Sequence, residues 1–215
     1  MANHVSYYVQ FHKINDVAKA RWKEMTENLE NEQKPDYEYW FADLWVDGKE
    51  GSPTLEEVRQ YSWTCDHIGP KWCYIQDIDE ESFSGYSAWS APEEGLVKIL
   101  EELEQLDPNI VASITYDDEM PNFVGWSVYR GSEMEDGCEW DDAEIREEVF
   151  FLHPKLKEHW DESNDEWQCD EDGDMTEEAY AAEDEYRDVM YEVINDMQGH
   201  GIDEAIKYLT ESAQD

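Results

Sequence analysis

Carboxylates make up most of the residue groups in this chain that could do chemistry. Asp117, Asp118 and Glu119 stand side by side after an apolar run. Two neighbouring carboxylates, one raised in pKa and one ionised, are the working parts of many hydrolases. A turn rich in solvated acids has the same spelling, and no motif places a His, Lys or Arg beside these three. Asp170-Glu171-Asp172-Gly173-Asp174 opens like a calcium loop. Such a loop needs Gly at its sixth position and Glu at its twelfth. Met175 and Ala181 stand there instead, which leaves loose cation binding at most. Cys65, His67 and Cys73 offer soft ligands, but their spacing fits no common zinc site and a fourth ligand is missing. No Gly-rich phosphate loop, GxSxG or HExxH occurs, and His4, His12, His67, His153, His159 and His200 are scattered. The expectation is a protein without catalytic residues, metal or cofactor.

What remains is the charge. The 215 residues carry 56 acidic and 15 basic side chains, a formal net of −41. Such a surface repels nucleic acid and anionic membrane and attracts cationic faces. The acid is also regional. Residues 1–130 hold 26 acids and 10 bases, whereas residues 131–215 hold 30 and five, a net of −25. Salt adaptation would spread acid evenly and favour Arg over Lys, but ten Lys outnumber five Arg. Duplex DNA presents a negative charge every ~1.7 Å of axis, and a row of carboxylates can approximate it. The expected partner is a basic protein that handles DNA, in the host or its defences. The expected partner-binding residues are Glu133, Glu135, Asp136, Glu139, Asp141, Asp142, Glu144, Glu147 and Glu148. A second set is Asp161, Glu162, Asp165, Glu166, Asp170, Asp172 and Asp174. The alternative is an accessory or structural protein whose acidity serves solubility only. Its interface would be aromatic, formed by Trp140, Trp160 and Trp167.

Elements must position these groups. Ten Trp, 13 Tyr and six Phe are too many for a solvated tail and predict a folded core. Val5, Tyr7, Val9 and Phe11 alternate, which predicts a half-buried strand over 4–11. Asn15 or Asp16 can cap a helix carrying Ala18, Trp22, Met25 and Leu29 on one face, ended by Lys34-Pro35. Residues 37–46 read as an aromatic strand. Thr54 with Glu57 spells a capping box for a short helix that buries Leu55 and Val58. Residues 71–78 and 82–89 read as a hairpin. Pro92 opens a helix with Leu96, Ile99, Leu100, Leu103 and Leu106 inward. Strands follow over 110–116 and 122–130, turning at 117–121. The pattern to this point is an α+β fold, an antiparallel sheet with helices on one face.

The rest reads as helical. Short helices over 141–152 and 154–160 carry Ile145, Val149, Leu152, Leu156 and Trp160. Asp174 with Glu177 spells a second capping box, opening a helix over 175–198. Gly199 and Gly201 flank its stop, before a last helix over 202–213. The expected domains are therefore 1–131 and an acidic helical region, 132–215. No basic stretch precedes an apolar run at the N-terminus, and no run nears ~18 apolar residues, so a cytosolic protein with reduced thiols is expected.

Gly69-Pro70-Lys71-Trp72, then Phe83-Ser84-Gly85-Tyr86-Ser87-Ala88-Trp89-Ser90-Ala91-Pro92, then Leu106-Asp107-Pro108, then Tyr116-Asp117-Asp118-Glu119, with Gly125 and Gly131, form one succession. It resembles the YubB-like domain family carried by phages and plasmids, over about 65–131 and up to the whole of 1–131. The resemblance implies a ferredoxin-like fold and a mobile-element origin. It implies no activity and supplies no catalytic residues.

Overall fold

The computed structural model describes residues 3–30, 39–119 and 121–211. Its main sheet grows around β1 (His4–Lys13), whose Val5, Tyr7, Val9 and Phe11 are buried while the residues between them are exposed. β1 pairs antiparallel with β4 (Ser82–Ala88) on one side and with β5 (Val111–Asp118) on the other. β2 (Tyr39–Trp40) and β3 (Cys73–Ile78) extend the β4 side. β6 (Phe123–Arg130) and β7 (Glu133–Asp141) extend the β5 side, giving the order β2-β3-β4-β1-β5-β6-β7.

Two helices pack on the face that Val5 to Phe11 present. Asn15 caps α1 (Asp16–Glu30), its Oδ1 accepting from the Val17 and Ala18 amides at 2.9 Å each. Ala18, Trp22, Met25 and Leu29 are buried, as their spacing requires. α4 (Glu93–Glu104) buries Leu96, Ile99, Leu100 and Leu103 completely. Each such side chain contributes about 1.5–3 kcal/mol relative to exposure. Leu106 lies beyond the helix and is 40% exposed, contrary to the stripe drawn through it.

The opposite face is not bare, as a one-sided sheet would leave it. β6 is buried on both faces: Val124, Trp126 and Val128 point away from α1 and α4. Gly201, in the last part of α7 (Glu177–Glu211), lies so close to Trp126 that a Cβ there would fall 2.5 Å from its indole. Arg130 Nη2 donates to the Leu209 carbonyl at 2.9 Å.

Several elements differ from the sequence reading. After the two residues of β2, the aromatic run turns into a 3-10 helix over Phe41–Trp45 and buries Phe41, Ala42 and Leu44 there. Lys34-Pro35 and residues 37–38 lie outside the described residues, as does Met120 in the turn after β5. The Thr54–Glu57 capping box is present and opens α2 (Leu55–Val58). Val58 is buried, but Leu55 is 40% exposed. A further helix, α3 (Tyr61–His67), follows. β7 stands where no strand was expected. Gly131 adopts φ +58 in the two-residue connection from β6, and a hairpin of that kind pairs its strands antiparallel.

α7 is one helix of 35 residues, and neither Gly199 nor Gly201 stops it. Its first turn is capped by Thr176, whose Oγ1 accepts from the Ala179 amide at 3.2 Å. The expected Asp174 cap is replaced because that residue closes the preceding turn on Asp170.

Two units result. The first runs to Glu139, past the expected 131, and takes up the chain again from Gly201. The second is Trp140–His200. In the second unit α5 (Asp142–Leu152), α6 (Pro154–Lys157) and the small hairpin β8 (Trp160–Asp161) and β9 (Glu166–Trp167) precede the first part of α7. Among the described residues no helix is long and apolar enough to cross a membrane.

Candidate partner-binding surface

Fourteen of the sixteen carboxylates singled out by sequence are exposed; Glu148 and Asp161 are half-buried. Four of them, Glu133, Glu135, Asp136 and Glu139, sit on β7 in the first unit. β7 ends the sheet, so these charges also guard an edge that would otherwise template foreign strands. Glu135 approaches Arg130 at 3.5 Å, and Glu139 accepts from the Tyr116 hydroxyl at 3.1 Å. Asp136 accepts from the amide of Gly137 at 2.9 Å.

The other twelve belong to the second unit, which holds 22 acidic and four basic side chains, a net of −18. Part of this acid builds the fold. Asp141 and Glu144 form a reciprocal capping box at the start of α5. Arg146 Nη1 donates to Asp142 at 2.8 Å and its Nη2 to Asp165 at 2.9 Å, while its guanidinium lies 4.6 Å from the Trp160 ring centroid. One cation thus ties α5 to the β8–β9 hairpin, where Asp165 takes the left-handed backbone (φ +56) that Asp tolerates in tight turns.

Asp161 accepts from the Ser163 amide at 2.9 Å, from the Ser163 hydroxyl and from Asn164 Nδ2, and these bonds hold its carboxyl below the usual range. Glu162 pairs with Lys157 at 2.9 Å and raises the lysine's pKa. Asp170 accepts from the Asp172 and Asp174 amides at 2.8 and 3.2 Å. The calcium-like segment is thus a self-closed turn, with Gly173 at φ +86. Glu133, Glu147, Glu166, Asp172 and Asp174 are exposed, and their carboxylates take no part in these caps and pairs.

The aromatic alternative changes character. Trp160 and Trp167 meet edge to face at 5.2 Å and pack with Phe150, while Tyr186 packs against Trp167. They hold the second unit together, and burial raises the Tyr186 pKa to about 12. Trp140 is half-buried. The rings that do face solvent escaped the sequence reading. Phe151 is 77% exposed and Leu152, expected inside, is 51% exposed. Phe151 borders a hollow of about 570 Å³ lined also by Glu144, Glu147, Glu148 and Lys157. Their signal was the run of four apolar residues, Val149-Phe150-Phe151-Leu152, of which one helix face can bury only part.

The remaining candidates are dispersed or tied up. Cys73 is buried against the Tyr7 hydroxyl, and His67 bonds the Trp63 carbonyl through Nδ1 at 2.8 Å. Among the described residues no group of three or more His, Cys, Asp or Glu is placed to hold a metal ion. Asp118 is fully buried at the end of β5. Its Oδ2 accepts from Asn3 Nδ2 at 3.1 Å and from Asn122 Nδ2, and its Oδ1 has no partner among the described residues. Asp117 beside it is raised in pKa, first by burial and then by the Asp118 charge.

An acid raised in the folded state binds its proton more tightly there than in the unfolded chain. Its contribution to stability is therefore favourable at low pH and declines as pH climbs from the unfolded value through the folded one. Asp117→Asn removes that decline. The expected result is a variant more stable than the parent at neutral pH, with the gap closing as pH falls below the ordinary carboxyl range. Urea melts across pH check it, and a constant gap contradicts it.

No family model matches the chain, and no curated protein or solved structure matches it either.

Proposed function

We propose that this protein is a non-enzymatic, mobile-element-encoded binder of a basic, DNA-handling protein of the host or its defences, whose cationic groove it occupies by standing in for the charge of DNA. The observation that carries this reading is the second unit: 22 acids against four bases in 61 residues, with Glu147, Glu166, Asp172 and Asp174 exposed and their carboxylates uninvolved in the caps and pairs of the fold. Solubility alone asks for far less net charge.

The resemblance to the YubB-like family supports the mobile-element origin. With β2, the 3-10 helix, α2 and α3 taken as an insertion between α1 and β3, the elements β1, α1, β3, β4, α4 and β5 and the strand order β3-β4-β1-β5 are compatible with a βαββαβ arrangement, extended by β2 at one edge and by β6 and β7 at the other. Binding of this kind is driven by counterion release and weakens steeply with salt.

The test uses the full chain immobilised in a bacterial lysate. Retained basic proteins should elute as salt rises, and added duplex DNA should displace them. They should be lost from a Glu147→Lys, Glu166→Lys, Asp172→Lys variant whose circular dichroism matches the parent. Retention that resists salt and survives the reversal sinks the reading. A second reading rests on Phe151 at 77% exposure: an aromatic contact in which the acid only keeps the chain dissolved. It gives retention insensitive to salt and abolished by Phe151→Ala.

A further inference from the structure

One face of α5 is left open by its own unit. Glu144, Glu147, Glu148 and Phe151 follow one another at steps of three, one and three within Asp142–Leu152, which lines them up along one side of the helix. With Phe150 and Lys157 they line the hollow of about 570 Å³ in the second unit. Phe150 is buried and fixed by Trp160, Trp167 and Tyr186. Phe151, the next residue, is the most exposed large apolar side chain among the described residues.

The charge of this hollow selects its occupant. The Glu144 carboxylate takes part in the capping box, through Oε2 on the Asp141 amide at 3.0 Å. The Glu147 and Glu148 carboxylates form no hydrogen bond or ion pair among the described residues. The one basic residue of the lining, Lys157, is bonded to Glu162 at 2.9 Å. The hollow therefore repels anions and attracts cations. A bare metal ion does not fit, because no three acidic, His or Cys side chains among the described residues are placed to hold one. What fits is an extended cation with a flat face for the ring and several donors for the carboxylates.

The second unit already builds such a contact within itself. The Arg146 guanidinium lies 4.6 Å from the Trp160 ring centroid and donates to Asp142 and Asp165. The hollow repeats the ring and the paired carboxylates, with no arginine of this chain among its lining residues. A guanidinium suits it better than an ammonium. It is planar, it is weakly hydrated, and its forked N–H groups reach two carboxylates while its face rests on a ring. Leu152, half-exposed beside Phe151, offers apolar surface to the methylene stem.

We propose that this hollow takes an arginine side chain from a basic segment of the partner protein, its guanidinium over Phe151 and its N–H groups on Glu147 and Glu148. The identity of the partner rests on the charge-mimic reading above. The choice of arginine over lysine does not, because imitation of DNA charge treats the two alike.

The test titrates the full chain with labelled nona-arginine and nona-lysine peptides, which carry equal charge, and reads fluorescence anisotropy at about 0.15 M salt. The parent should prefer nona-arginine by about fivefold, the worth of one cation–ring contact. Phe151→Leu keeps an apolar side chain and should bring nona-arginine down to the nona-lysine level, with circular dichroism unchanged. Glu147→Gln with Glu148→Gln should narrow the preference. Asp172→Asn with Asp174→Asn removes charge outside the hollow and should weaken both peptides while the preference stays. Equal affinity of the parent for the two peptides, or a preference that survives Phe151→Leu, overturns the proposal. If the chain retains no DNA-handling protein from lysate but keeps the arginine preference, the charge-mimic reading falls and the arginine site stands.

Discussion

Trp22→Ala should lower stability by about 3–5 kcal/mol, a large part of the ~5–15 kcal/mol that holds a folded chain together. Trp22 is 1% exposed on α1, and its ring meets Phe11 at 5.5 Å and Phe83 at 5.1 Å. It thus joins the helix to the two central strands, β1 and β4. Its indole N–H also donates to the Asp79 carbonyl, at 3.0 Å, in the turn between β3 and β4. Truncation opens a cavity and leaves that carbonyl without its donor. Trp22→Phe keeps one ring while removing the N–H and part of the buried volume; it should cost less, about 1–3 kcal/mol. Urea midpoints read both variants. A Trp22→Ala midpoint equal to the parent's would mean that this ring does not hold helix and sheet together.

Two glycines in one helix should respond to alanine with opposite signs. Alanine inside a helix is favoured over glycine by about 0.5–1 kcal/mol. At Gly199 an added Cβ meets nothing within 4 Å, so Gly199→Ala should stabilise by that amount. At Gly201 the same methyl lies 2.5 Å from the Trp126 ring, which is itself 5% exposed and hemmed in. Overpacking of this kind costs about 1–3 kcal/mol and outweighs the helical gain. Gly201→Ala should therefore destabilise, and Gly201→Leu more so, with the Trp126 emission shifting as its surroundings loosen. Equal signs at the two positions would refute the close approach.

These same glycines mark where sequence reasoning stops. In sequence, Gly199-His200-Gly201 looks like a helix end, because glycine is read by its backbone freedom. In the structure Gly201 is there for its missing side chain, which a residue 75 positions earlier requires. No local pattern carries that. The strand β1 and the helices α1 and α4 were legible because each buries one face, which prints a period of two or of 3.6. β7 buries no apolar side chain and so prints no period; Glu133 to Asp141 read only as charge.

The candidate surface was legible in the same partial way. Composition located the acid, and fourteen of sixteen carboxylates are outward. It could not tell Asp142 and Asp165, bound to one arginine across 23 positions of chain, from Glu147 and Asp172, whose carboxylates the fold does not use.

The second unit interrupts the first along the chain, since residues up to Glu139 are completed by those from Gly201 onward. A ribosome therefore finishes all seven strands before it has made the helical turn that shields Trp126. During that interval, while the 61 residues of the acidic insert are being added, one flank of the sheet stays wet and the nascent molecule is held half-made. The net charge of −18 on that insert repels like chains throughout the interval.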